Sequence, residues 1–113
     1  MPIARTLALI EAAPAGSAEL DAAIAAALDI AEAPYSSSID AALQLVPNGW
    51  SIAQISQRTD WTGRAMGWTA DLYRPDLAIL QDAPARIMPT APLALAAASF
   101  RARIDRRSGV QAA

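Results

Sequence analysis

The sequence predicts an α+β domain, with N-terminal helices and a C-terminal helix packed on a short antiparallel sheet of two or three strands. Three observations predict it. About a quarter of the 113 residues are alanine, the best intrinsic helix former, so the 54% apolar content argues for helices more than for a large core. Apolar residues recur at helical spacing at both ends of the chain, whereas Arg64 to Tyr73 alternates with a period of two. Pro47-Asn48-Gly49 and Arg74-Pro75-Asp76 punctuate the borders of that middle region. At this length one core without staples is feasible, so residues 1–113 are read as a single domain with a frayed tail over 109–113.

The first helix is expected from Ile3 to Ala13, with Ile3, Leu7 and Ile10 as its stripe. Ser17 caps a second helix that carries Glu19 and Asp21 in its first turn and buries Leu20, Ile24, Ala27 and Leu28. Residues 31–36 read as a connector. Ser37-Ser38-Ile39-Asp40 fits a capping box, with Ser37 as cap and Ile39, Leu43 and Val46 as the buried face of a short helix. Trp50 to Gln57 is rich in β-branched and aromatic residues, and its blurred alternation suggests a bulge near Gln54. Arg58 to Gly63 is a polar loop. The next strand places Met66, Trp68, Ala70 and Leu72 on one face. Leu77 to Gln81 is a candidate edge strand, which also leaves pairing between copies open. Thr90 caps the last helix, whose stripe is Leu93, Ala97, Phe100 and Ile104.

Cysteine and histidine are both absent, and all nine basic residues are arginine. Disulfides, thiolate nucleophiles, the usual zinc sites, serine–histidine relays and lysine chemistry are therefore excluded. Asp71, Asp76 and Asp82 lie close in sequence but have no phosphate loop or basic partner, so they read as turn aspartates. Ser36-Ser37-Ser38 has nothing to activate it and reads as cap and turn. The expectation is a protein that is not an enzyme and holds no cofactor or metal. The apolar run at residues 6–10 is broken by Glu11, and the longest uncharged stretch, 87–100, contains prolines and is too short to span a bilayer. Neither a signal peptide nor a membrane segment is expected, and the cytoplasm is the default location.

What remains are surfaces. The net charge of −2 predicts no general attraction to nucleic acid, yet residues 1–40 carry six acids against Arg5, and the last helix collects arginines. Arg103, Arg106 and Arg107 share a helical face that could grip phosphate or an acidic partner; alternatively, they only complement the helix dipole. Glu19 and Asp21 could pair with these arginines inside the fold. The loop Arg58-Thr59-Asp60-Trp61-Thr62-Gly63-Arg64 sets a tryptophan between arginines. It is a candidate interface anchor or base-stacking platform, or else Trp61 folds back over the sheet as a lid. Trp50 and Trp68 read as core.

Four strings carry a resemblance. Ser38-Ile39-Asp40-Ala41-Ala42-Leu43-Gln44-Leu45-Val46-Pro47-Asn48-Gly49-Trp50 is the most distinctive, a capped helix followed at fixed distance by a turn and a tryptophan. Glu19 to Ile24, Ala70 to Pro75 and Thr90 to Ala98 accompany it. Together, from about Glu19 onward, they resemble small phage and prophage proteins of the phage ABA-sandwich domain group. The connector from Ile30 to Ser36 is shorter than in that group. The resemblance implies helix/sheet/helix layering and a bacterial host, and it brings no catalytic residues. The expected function is that of a phage-type accessory protein in the host cytoplasm. It would act by binding a host or phage protein through Arg58, Trp61 and Arg64, for instance to inhibit a host defence system. The alternative is nucleic-acid binding through Arg103, Arg106 and Arg107.

Overall fold

The computed structural model describes residues 3–76, 79–80 and 86–104. They form four helices and one antiparallel sheet: α1 (Ile3–Ala12), α2 (Ala18–Leu28), α3 (Ile39–Leu43), β1 (Ser51–Thr59), β2 (Ala65–Arg74), β3 (Ile79–Leu80) and α4 (Ala91–Ile104). This is the expected α+β class. Helix α4 lies against β2 and β1 on one side and against α1 and α3 on the other, while α2 packs on α1. The layers therefore run sheet, α4, then α1 and α3, which differs from the helix/sheet/helix order implied by the resemblance.

The N-terminal helices begin and end as their residues dictate. Ser17 is extended and its Oγ accepts the Leu20 amide at 3.1 Å, a cap that contributes about 1 kcal/mol. At the other end of α2, Asp29 adopts φ 55°, so that the amides of Asp29 and Ile30 return to the carbonyls of Ala26 and Ala25. Ile10, Leu20, Ile24 and Ala25 are buried between these helices and the rest of the core.

The connector is not a loose link. Tyr35 and Ser36 are buried, at 3% and 0% exposure. The Ser36 amide and hydroxyl both donate to Asp21 Oδ1, at 2.8 and 2.6 Å, and Ser36 Oγ accepts the Ser17 amide at 3.0 Å. With Ser36 held there, the cap of α3 falls on Ser38, whose Oγ accepts the Ala41 amide, and not on Ser37. The face of α3 turns accordingly: Ala41, Ala42 and Leu45 are buried, whereas Leu43, expected inside, is 44% exposed.

In the sheet β2 is central. β1 pairs with it from Ser51↔Tyr73 to Thr59↔Ala65, with an irregularity between Ile52 and Gln54 where the bulge was expected. β3 pairs along Tyr73 and Arg74, and further along the same edge Trp68 and Met88 exchange both backbone hydrogen bonds at 2.7 Å. Ile52, Ile55, Trp68, Ala70 and Leu72 face α4. The opposite face is polar: Gln54 Nε2 donates to Asp71 Oδ2 at 2.7 Å, and the hydroxyls of Ser56 and Thr69 lie 3.4 Å apart. Trp50 is core as expected, although it precedes the strand.

Helix α4 is capped by Thr90, whose Oγ1 accepts the Leu93 amide at 3.3 Å. It does not have the single expected stripe. Leu93 to Phe100 are all buried, and Ile104, assigned to the stripe, is 41% exposed. A helix covered on two sides must be apolar all round, and alanine lets both layers approach closely.

Candidate interaction surface

Burial falls away along the β1–β2 hairpin. Gln57, Arg58, Thr59 and every residue from Trp61 to Met66 are exposed, with Asp60 alone partly covered. The distal hairpin is thus an arm standing clear of the core.

Its tip is rigid for local reasons. Asp60 N donates to Arg64 O at 2.9 Å and Gly63 N to Asp60 O at 3.0 Å, closing a short loop in which Gly63 takes φ 88°. Glycine at that position is what a hairpin of this length requires. The Asp60 carboxylate fixes the rest: its Oδ1 accepts the Thr62 amide (2.8 Å), the Thr62 hydroxyl (2.5 Å) and the Arg64 amide (3.0 Å). These bonds, the Thr62 hydroxyl first, hold the Asp60 pKa below the ordinary aspartate value. The Asp-x-Thr-Gly spacing that builds this turn was readable in the sequence, although no role had been assigned to Asp60.

Held by that turn, Trp61 is 96% exposed. It does not fold back as a lid. An indole that could bury 150–250 Å² leaves about 4–6 kcal/mol of transfer free energy unrealised. Arg58, on β1 opposite Gly67, and Arg64, at the foot of the loop, are both exposed, and their side chains make no ion pair or hydrogen bond among the described residues. Met66 adds a 54% exposed side chain to the same arm.

The basic last helix is arranged differently. Arg101 Nη2 and Nε reach Glu11 Oε2 at 2.8 and 3.2 Å, and Arg86 lies 4.0 Å from the other Glu11 oxygen. The intramolecular partner of Arg101 is thus Glu11 on α1, and among the described residues no arginine of α4 pairs with Glu19 or Asp21. Arg103 turns inward. Its Nη2 donates to Leu45 O at 2.9 Å, its Nε is buried without a partner, and burial pushes its pKa down from the ordinary arginine value. It is therefore not displayed on an open face for phosphate. Arg106 and Arg107 lie outside the described residues, as do Asp82 and the tail. The structure brings Arg58, Trp61 and Arg64 together on one arm and places Arg103 apart from them.

The described carboxylates do not converge. Asp71 is engaged by Gln54, and Asp76 pairs with Arg74 at 3.0 Å. Among the described residues no group of three acids comes together, and no helix is long and apolar enough to cross a membrane. A feature missed in the sequence is a groove of about 330 Å³ between α1 and α2, lined by Leu9, Ala13, Ser17, Glu19, Leu20 and Ala23. It forms because two helices meet across Pro14–Gly16, which no local pattern reveals. In comparisons with protein families, with curated proteins and with solved structures, the chain matches none, so the likeness to phage proteins stands on its residue strings alone.

Proposed function

We propose that the chain is a small accessory protein that acts by binding another protein, with the Trp61 arm as its anchor. One observation carries the reading: a tryptophan left almost wholly in water on a turn that four hydrogen-bonding groups hold still. Rigid aromatic side chains lose little entropy on binding, and a pre-formed tip reduces that cost further. Arg58 and Arg64 flank it as cations unengaged among the described residues, so the complementary surface is an apolar recess with acidic margins.

Within this reading the phage-like strings make a host or phage protein in the bacterial cytoplasm the expected partner, and inhibition of a host defence system the expected outcome. A nucleic-acid reading has less support, because Arg101 and Arg103 are engaged within the fold.

The test is photo-crosslinking from the arm. With a benzophenone amino acid at position 61, a discrete crosslinked host protein is expected. Excess wild-type chain should compete it away much more strongly than excess Trp61→Ala chain. Diffuse crosslinks, or equal competition by both, contradict the assignment of the arm.

A further inference from the structure

We infer that the chain carries a receptor for its own arm, so that the Trp61 tip of one copy docks in the α1–α2 groove of a second copy. The inference rests on the arm being an anchor and gives that anchor a partner.

The two surfaces match in shape class and in charge. The groove is bounded by Leu9 and Leu20, with Ala13, Ser17 and Ala23 between them, so small side chains leave an open recess of about 330 Å³ with a mixed polar and apolar lining. Leu9 lies 47% exposed at its margin, an apolar side chain without cover. Glu19 stands at the same margin, exposed and without an ion pair among the described residues. Of the acids of the two helices, Glu11 is paired with Arg101 and Asp21 accepts from Ser36, so Glu19 is the carboxylate that the groove offers, with Arg5 one turn before Leu9. The arm offers the complement, an indole 96% exposed between Arg58 and Arg64, which have no ion pair among the described residues. Seating the indole against Leu9 puts an arginine within reach of Glu19, where the pair would be partly shielded from solvent and correspondingly stronger.

The contact joins two different patches. It therefore closes as a dimer if both arms insert reciprocally, and otherwise continues as an open series. A single inserted side chain makes a small interface, so association is expected at about 10–100 µM and not at nanomolar concentration.

Sedimentation equilibrium of the purified chain, with tryptophan emission followed across the same concentrations, tests the proposal. The expected result is a mass rising with concentration together with a blue shift as Trp61 leaves water. Trp61→Ala should weaken association about thirtyfold or more, as the loss of a central anchor does. Glu19→Arg should weaken it as well, and so should the pair Arg58→Glu with Arg64→Glu. Each variant changes an exposed side chain, and circular dichroism checks that the fold is kept. Mixing the Glu19→Arg chain with the Arg58→Glu/Arg64→Glu chain should restore association, because the reversed groove again faces a complementary arm.

A chain that stays monomeric to about 0.5 mM overturns the proposal. Self-association that survives Trp61→Ala overturns it too, as does loss on Trp61→Ala with no effect of Glu19→Arg and no rescue on mixing. In the monomeric case, a discrete crosslink from position 61 to a different protein would leave the arm's role as anchor standing.

Discussion

Asp21 and Ser36 form the junction on which the N-terminal half is assembled. One carboxylate oxygen of Asp21 accepts both the amide and the hydroxyl of the fully buried Ser36, at 2.8 and 2.6 Å. The same hydroxyl receives the Ser17 amide at the start of α2, and Gly16 passes so close that a Cβ there would collide with Ser36 O. Asp21→Ala strands a buried amide and weakens a hydroxyl network, a loss of about 2–3 kcal/mol. Asp21→Asn keeps an acceptor and should cost about half as much. Urea midpoints at constant slope measure both, and a silent Asp21→Ala would contradict the role given to this junction.

Gly67 plays the comparable part in the sheet. It sits at φ 133°, and a Cβ on it would come within 2.5 Å of Met88 O, the atom that accepts the Trp68 amide. Gly67→Ala therefore strains the backbone and pushes Met88 off the β2 edge, at about 2–4 kcal/mol. Hydrogen exchange should show the Trp68 and Met88 amides losing protection before those of α4.

Asp29 points the other way. It holds a left-handed conformation at the C-terminal end of α2, where both its Cβ and its negative charge are unfavourable. Asp29→Gly should stabilise the chain by about 1 kcal/mol, raising Tm by about 3–6 °C. A lower Tm would show that Asp29 makes a compensating interaction.

The arm has its own pH dependence. The Asp60 pKa is lowered in the folded tip by the bonds from Thr62 and Arg64. A lowered folded pKa means that its contribution is complete above the ordinary aspartate value and is lost as pH falls through the depressed one. The tip should thus stay ordered throughout the neutral and mildly acidic range. The Thr62 and Arg64 amide resonances should titrate with a midpoint below that of an unfolded aspartate. Asp60→Ala should loosen the tip and lower binding while leaving the α4 core intact. A midpoint at or above the ordinary value would contradict the hydrogen-bonded turn.

Much of this was legible because its causes are local. Ser17 and Thr90 cap helices through bonds spanning three residues, and the alternation of β2 and the irregularity beside Gln54 follow from strand pairing. The register of α3 was not legible. Three consecutive serines are locally equivalent, and the choice of Ser38 follows from Ser36 being claimed by Asp21, fifteen residues away. The pairing of Arg101 with Glu11 spans ninety residues, and the burial of α4 on all sides depends on which layers enclose it. At the candidate site, the Trp/Arg grouping was readable from the loop composition. Whether Trp61 lies down or stands out was not, because that depends on how far the hairpin reaches past the core.

The proposed role of the arm, binding protein through Trp61, is open to direct measurement. The most direct measurement is the affinity of the partner crosslinked from position 61 for three chains of matched stability: wild type, Trp61→Ala and Arg58→Ala/Arg64→Ala. Trp61→Ala is expected to lose about 2 kcal/mol or more, carried mainly by faster dissociation. The double arginine variant should lose less, chiefly through slower association at low salt. Equal affinity of the wild-type and Trp61→Ala chains would rule out Trp61 as the anchor.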